Sequence, residues 1–87
     1  MKALKFTAVW CPSCLIMHSR YQKIEEEYGF DVYEYDYDFD SEKIDEYNIG
    51  DTLPVYILLD ENDNELVRII GEKKEEELRK VISSIER

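Results

Sequence analysis

Apolar positions along the chain change their period block by block, and the changes mark out the elements. Ala3-Leu4-Lys5-Phe6-Thr7-Ala8-Val9 is apolar, with β-branched and aromatic content and no turn residue, which predicts a buried strand. Cys14, Met17, Tyr21, Ile24 and Tyr28 then recur at helical steps, predicting a helix from Pro12 to about Tyr28 that Gly29 closes. From Phe30 to Asp40 the chain alternates, with Val32, Glu34, Asp36 and Asp38 on one side and Tyr33, Tyr35, Tyr37 and Phe39 on the other, as a strand does. Ser41 is expected to cap a short helix over 42–47, with Ile44 and Tyr47 inward. Leu53 to Leu59 predicts a strand entered through Pro54, and Asp60 to Asn64 a hairpin turn into a strand from Glu65 to Ile70. Leu78, Val81, Ile82 and Ile85 form the packing stripe of a last helix over Lys73 to Glu86.

The order βαβαββα predicts an α/β fold. The first two strands should pair in parallel through a right-handed crossover, and the last two should form an antiparallel hairpin. Helices are expected on both faces of one mixed four-stranded sheet. At 87 residues the chain is read as one domain with one small core.

The chain has only two cysteines, in Trp10-Cys11-Pro12-Ser13-Cys14. The first ten residues are too short and too interrupted for a secretion signal or a membrane span, so a cytoplasmic location is expected. Thiols are kept reduced there, and a close pair points to catalysis or metal binding rather than a structural staple. Formal net charge is -10, which argues against nucleic acid or an anionic membrane as partner and favours basic partner surfaces.

Cys11 falls where a strand gives way to a helix. Free backbone N–H groups and the positive end of the helix dipole favour a thiolate at such a place, so Cys11 is expected to have a lowered pKa and to be the attacking sulfur. Cys14, one turn on, is placed to attack the resulting mixed disulfide. Pro12 suits the first helical turn because the helix does not need its missing N–H, and Ser13 brings a hydroxyl near the thiolate. His18 is one turn beyond Cys14. With two cysteines it makes three soft ligands, one short of a closed structural zinc site, so no metal is expected. Asp36, Asp38 and Asp40 open like a calcium loop, but Ser41 stands where that loop needs glycine and Tyr47 where it needs the closing glutamate.

These features together resemble the thioredoxin superfamily. The resemblance rests on Phe6 to Cys14, on Tyr35-Asp36-Tyr37-Asp38, on Tyr47-Asn48-Ile49 leading to Leu53-Pro54, and on the Asp60 to Gly71 hairpin with its closing helix. It spans nearly the whole chain, without the N-terminal strand and helix of full-length members. It implies a thioredoxin-like fold, a cis Leu53–Pro54 bond, and a Leu53 backbone exposed beside Cys11, so that Thr52, Leu53 and Pro54 receive substrate. Trp10 would shape the rim of that surface. Lys5 stands where many members carry a buried aspartate, and Glu34 where they carry its partner lysine. A charge-reversed Lys5–Glu34 pair beneath the cysteines is therefore expected, with Lys5 favouring the thiolate and Glu34 taking the proton of Cys14.

The implied function is that of a small thiol-disulfide oxidoreductase. It would need no cofactor, act as a monomer on disulfide-containing proteins, and be recharged by a thioredoxin reductase or similar donor. Pro12 and the run Thr52 to Ile57 also resemble glutaredoxins, which keeps a glutathione-dependent carrier open, although the glycine pair that grips glutathione is missing. A metal-binding module built on Cys11, Cys14 and His18 is the reading from another class.

Overall fold

The computed structural model of the chain describes residues 1–85. Its elements run β1 (Lys2–Thr7), α1 (Pro12–Tyr28), β2 (Asp31–Asp36), α2 (Ser41–Glu46), β3 (Val55–Leu59), β4 (Glu65–Ile70) and α3 (Glu75–Ile85). The sheet has four strands in the order β2-β1-β3-β4. β2 is parallel to β1, while β3 is antiparallel to both β1 and β4. This is the mixed sheet expected from the order of elements.

Alternation along the central strands sends side chains to two cores. Ala3, Tyr56, Leu58 and Ile69 face α1 and α3, where they pack with Met17, Tyr21, Ile24, Leu78 and Ile82. Leu4, Phe6, Val55, Ile57 and Leu59 face the other way, with Ile44 and Tyr47 at and just after α2 covering them. β3 is buried along its whole length because it has a strand on either side and helices above and below. Ion pairs from Arg79 to Glu27 and from Lys23 to Glu75 tie α3 to α1 on the outside.

Element ends depart from the sequence reading in several places, each for a local reason. β1 stops at Thr7, so Val9 is an exposed loop residue. β2 runs only to Asp36, because Asp36 Oδ1 accepts the N–H groups of Asp38 and Phe39 and Asp40 Oδ2 accepts that of Asp36. These side-chain bonds compete with the ladder and turn the chain. Phe39 consequently leaves the tyrosine row and is 83% exposed, whereas Tyr35 and Tyr37 pack against the core.

Asp40, not Ser41, is the N-cap residue of α2, and it makes no side-chain capping bond. β3 begins at Val55, two residues after the expected start, and α3 at Glu75. The expected end of the last helix at Glu86 lies outside the described residues. α1 has the bounds read from its periodicity, and Gly29 closes it in the left-handed conformation at φ 68°, its N–H donating to the Glu25 carbonyl. None of the helices, among the described residues, is long and apolar enough to cross a membrane.

Candidate active site

Cys11 is the N-cap of α1, in extended conformation, and Pro12 follows as the first helical residue. The Cys11 N–H donates to the Ala8 carbonyl at 3.2 Å, which fixes the loop between β1 and α1. One turn on, the Cys14 N–H donates to Cys11 Sγ at 3.2 Å. This is how a capping side chain satisfies a free N–H at a helix start, with sulfur in place of the usual oxygen. No acidic residue occupies the first turn to oppose negative charge there.

The two thiols are free and each is only 7% exposed. Their surroundings differ. Burial pushes the Cys14 thiol up to about 12, and a hydrogen bond with Cys11 adds to the shift. Cys14 is thus held protonated behind Cys11. In the Cys11→Ser variant, alkylation of Cys14 should keep rising about tenfold per pH unit through pH 10, since only the thiolate reacts. A plateau near pH 9, read from the rate of iodoacetamide labelling, would contradict that assignment.

Trp10 is 57% exposed, but its ring is not free to swing. Its indole N–H donates to Asp38 Oδ2 at 2.8 Å, and its edge meets Tyr37 at 6.1 Å between centroids. The turn that ends β2 therefore braces the rim. Asp38 is marked by the sequence only as part of the Tyr35 to Asp38 run and of a calcium-loop pattern that fails, and nothing there points to Trp10 as its partner. Ser13 is half-buried, and Val9 and Leu15 are exposed apolar side chains near it in sequence.

The Leu53–Pro54 peptide is cis. Leu53 is largely buried in the same core cluster as Cys11, and Thr52 is the exposed residue of the three. Leu53 lies outside the ladder, which starts at Val55. Among the described residues no turn or cap bond uses its N–H or C=O.

Lys5 and Glu34 do not form the expected pair. They are register partners on β1 and β2, but the buried Lys5 ammonium reaches Glu25 of α1, with Nζ 3.2 Å from Oε2. Glu25 also accepts the Tyr56 hydroxyl at 2.9 Å. Glu34 instead accepts the Thr7 hydroxyl at 3.1 Å, at the exposed edge of the sheet. Helix α1 passes directly over the face to which Lys5 points, and offers a carboxylate already partly dehydrated. Lys5, Glu34, His18 and Cys14 nevertheless share the lining of one cavity of about 250 Å³ beside Cys14. Among the described residues no three of the histidine, cysteine and carboxylate side chains are grouped to hold a metal ion.

A family model for thioredoxin matches residues 2–84. The chain belongs to the thioredoxin family. Thioredoxin 1 of Thermosipho africanus superposes with a TM-score of 0.85 at 23% identity, covering 97% of this chain and 92% of that one. A Trypanosoma brucei brucei thioredoxin gives 0.83 at 27% identity, covering 97% and 73%. One from Nicotiana alata gives 0.82 at 28% identity, covering 94% and 70%. No curated protein sequence matches the chain. Membership in the thioredoxin family carries thiol-disulfide oxidoreduction in its general form.

Proposed function

We propose that this chain reduces disulfides in partner proteins through a Cys11/Cys14 dithiol cycle. The observation that carries the reading is the asymmetry of the two sulfurs: Cys11 caps α1 and receives a backbone N–H, while burial holds Cys14 as a thiol behind it. The Cys11 thiolate attacks a partner disulfide, forming a Cys11–partner S–S bond and releasing the partner's other sulfur as a thiolate. Cys14 then attacks the Cys11 sulfur, the Cys11–Cys14 bond forms, and the second partner sulfur leaves. Two electrons pass to the partner, whose thiolates take up the proton of Cys14 and one from water.

The partner's extended segment pairs with the free backbone groups at Leu53, next to Thr52 and the Trp10 rim, in the manner of a strand added to a sheet edge. Asp36, which lines the cavity beside Cys14, and Asp38, which holds Trp10, favour partners that carry basic residues around the disulfide. The protein works as a cytoplasmic monomer recharged by a thioredoxin reductase or a similar donor.

Equilibration in defined thiol-disulfide buffers, read by alkylation mass shift, should show one reversible two-electron transition at about -270 to -220 mV. A potential near roughly -120 mV would reverse the direction of electron flow. Absence of the transition would remove the dithiol cycle, and recharging by glutathione but not by a thioredoxin reductase would replace the donor.

A further inference from the structure

Tyr21 follows Cys14 by two helical turns on the buried face of α1. Side chains on a helix lean toward its N-terminus, so the phenol reaches back toward the turn that carries Cys14. Tyr21 and Cys14 line the same cavity, together with Lys5 and Thr7. The Tyr21 ring is stacked on Tyr56 with centroids 4.3 Å apart and planes 20° from parallel, so it is held in place.

The two hydroxyls of this stack have different fates. Tyr56 donates to Glu25, which also holds the Lys5 ammonium. The Tyr21 hydroxyl is buried with no hydrogen-bond partner, the one such side-chain oxygen or nitrogen among the described residues. Buried polar groups are nearly always satisfied, and an orphan donor costs free energy that phenylalanine would not. Burial, and then negative charge on Cys14, Glu25 and Cys11, pushes the phenol above its ordinary range, so it remains a donor at every pH where the protein works.

We propose that the Tyr21 hydroxyl is the hydrogen-bond donor to the Cys14 sulfur when that sulfur becomes a thiolate to resolve the mixed disulfide. The inference rests on the dithiol cycle above and adds a residue to its second step. In the resting thiol state Cys14 carries its own proton and makes no demand on Tyr21. When the proton leaves, charge develops on a sulfur that burial otherwise disfavours, and the waiting O–H meets it. Tyr21 keeps its proton throughout. The proton lost by Cys14 ends on the departing partner thiolate, as the Cys11–Cys14 bond forms and the Cys11–partner bond breaks. Hydrogen bonds to a charged acceptor are stronger than neutral ones, which makes the hydroxyl worth more in this step than it costs at rest.

Stopped-flow reaction of the reduced protein with dithiobis(nitrobenzoate) separates the two steps. Attack by Cys11 releases one thionitrobenzoate, and resolution by Cys14 releases the second. In Tyr21→Phe the first phase should be unchanged and the second slowed about tenfold or more at pH 7, the loss of one hydrogen bond to a charged sulfur. The pH dependence of the second phase should move upward by about one unit. Stability to urea should be equal or higher, because the orphan oxygen is gone. Tyr56→Phe, which alters the same stack, should leave the second phase within about twofold of the parent. An unchanged second phase in Tyr21→Phe, or equal slowing in both variants, would overturn the proposal. If the parent protein released only one thionitrobenzoate, the dithiol cycle itself would be what failed.

Discussion

Cys14→Ser should turn the protein from a reductant into a trap. Cys11 still attacks, because the backbone N–H of residue 14 that meets its sulfur does not depend on the side chain. No second sulfur remains to release the partner, so a protein disulfide substrate should stay attached to Cys11 as a mixed disulfide. That species is visible as a band that disappears on adding dithiothreitol. Cys11→Ser should instead lose disulfide reduction by about a thousandfold or more, since a hydroxyl at this place has no base to activate it. It should also form no adduct. The opposite outcome, with Cys11→Ser trapping partners and Cys14→Ser inert, would exchange the roles of the two sulfurs. That exchange is disfavoured by the thiol of Cys14 being pushed up to about 12 by burial.

Phe6→Ala should be the most damaging single truncation away from the cysteines. Phe6 is fully buried on the central strand β1 and meets Tyr35 at 5.3 Å and Tyr47 at 5.8 Å between ring centroids. Removing the ring leaves a cavity at the joint between the sheet and the chain following α2, at a cost of about 3–5 kcal/mol. A chain of 87 residues has a total stability of roughly 4–13 kcal/mol at ~0.05–0.15 kcal/mol per residue. The variant is therefore expected to unfold in urea at a much lower midpoint and to be partly unfolded at 37 °C. Leu15→Ala, at an exposed position, should stay within about 0.5 kcal/mol of the parent. Equal midpoints for the parent and Phe6→Ala would mean that this core does not carry the fold.

The order and type of the elements were legible because periodicity belongs to contiguous residues. Cys14, Met17, Tyr21 and Ile24 announce a buried helical face whatever packs against it, and Pro12 and Gly29 mark its two ends. For the same reason the strand-to-helix setting of Cys11, and with it the candidate chemistry, could be read from the chain. Alternation misled only where aspartates intervene. Tyr37 and Phe39 continue the pattern of β2 on paper, but carboxylate bonds to the backbone end the strand at Asp36.

Side-chain partners belonged to the tertiary structure. The family resemblance matched Lys5 to Glu34, yet the buried Lys5 ammonium takes a carboxylate from the helix above it instead. Only the stacking of α1 on the sheet makes that carboxylate Glu25, one of three successive glutamates in the helix. Trp10 finds Asp38 across 28 residues, and Tyr21 finds a stacking partner in Tyr56 but no acceptor for its hydroxyl. The sequence by itself determined which segments become strands and helices and where the two sulfurs stand, since those follow from local pattern. The fold decided which charges meet, which aromatic is braced and which hydroxyl is left without an acceptor, because those depend on how distant elements are laid against one another.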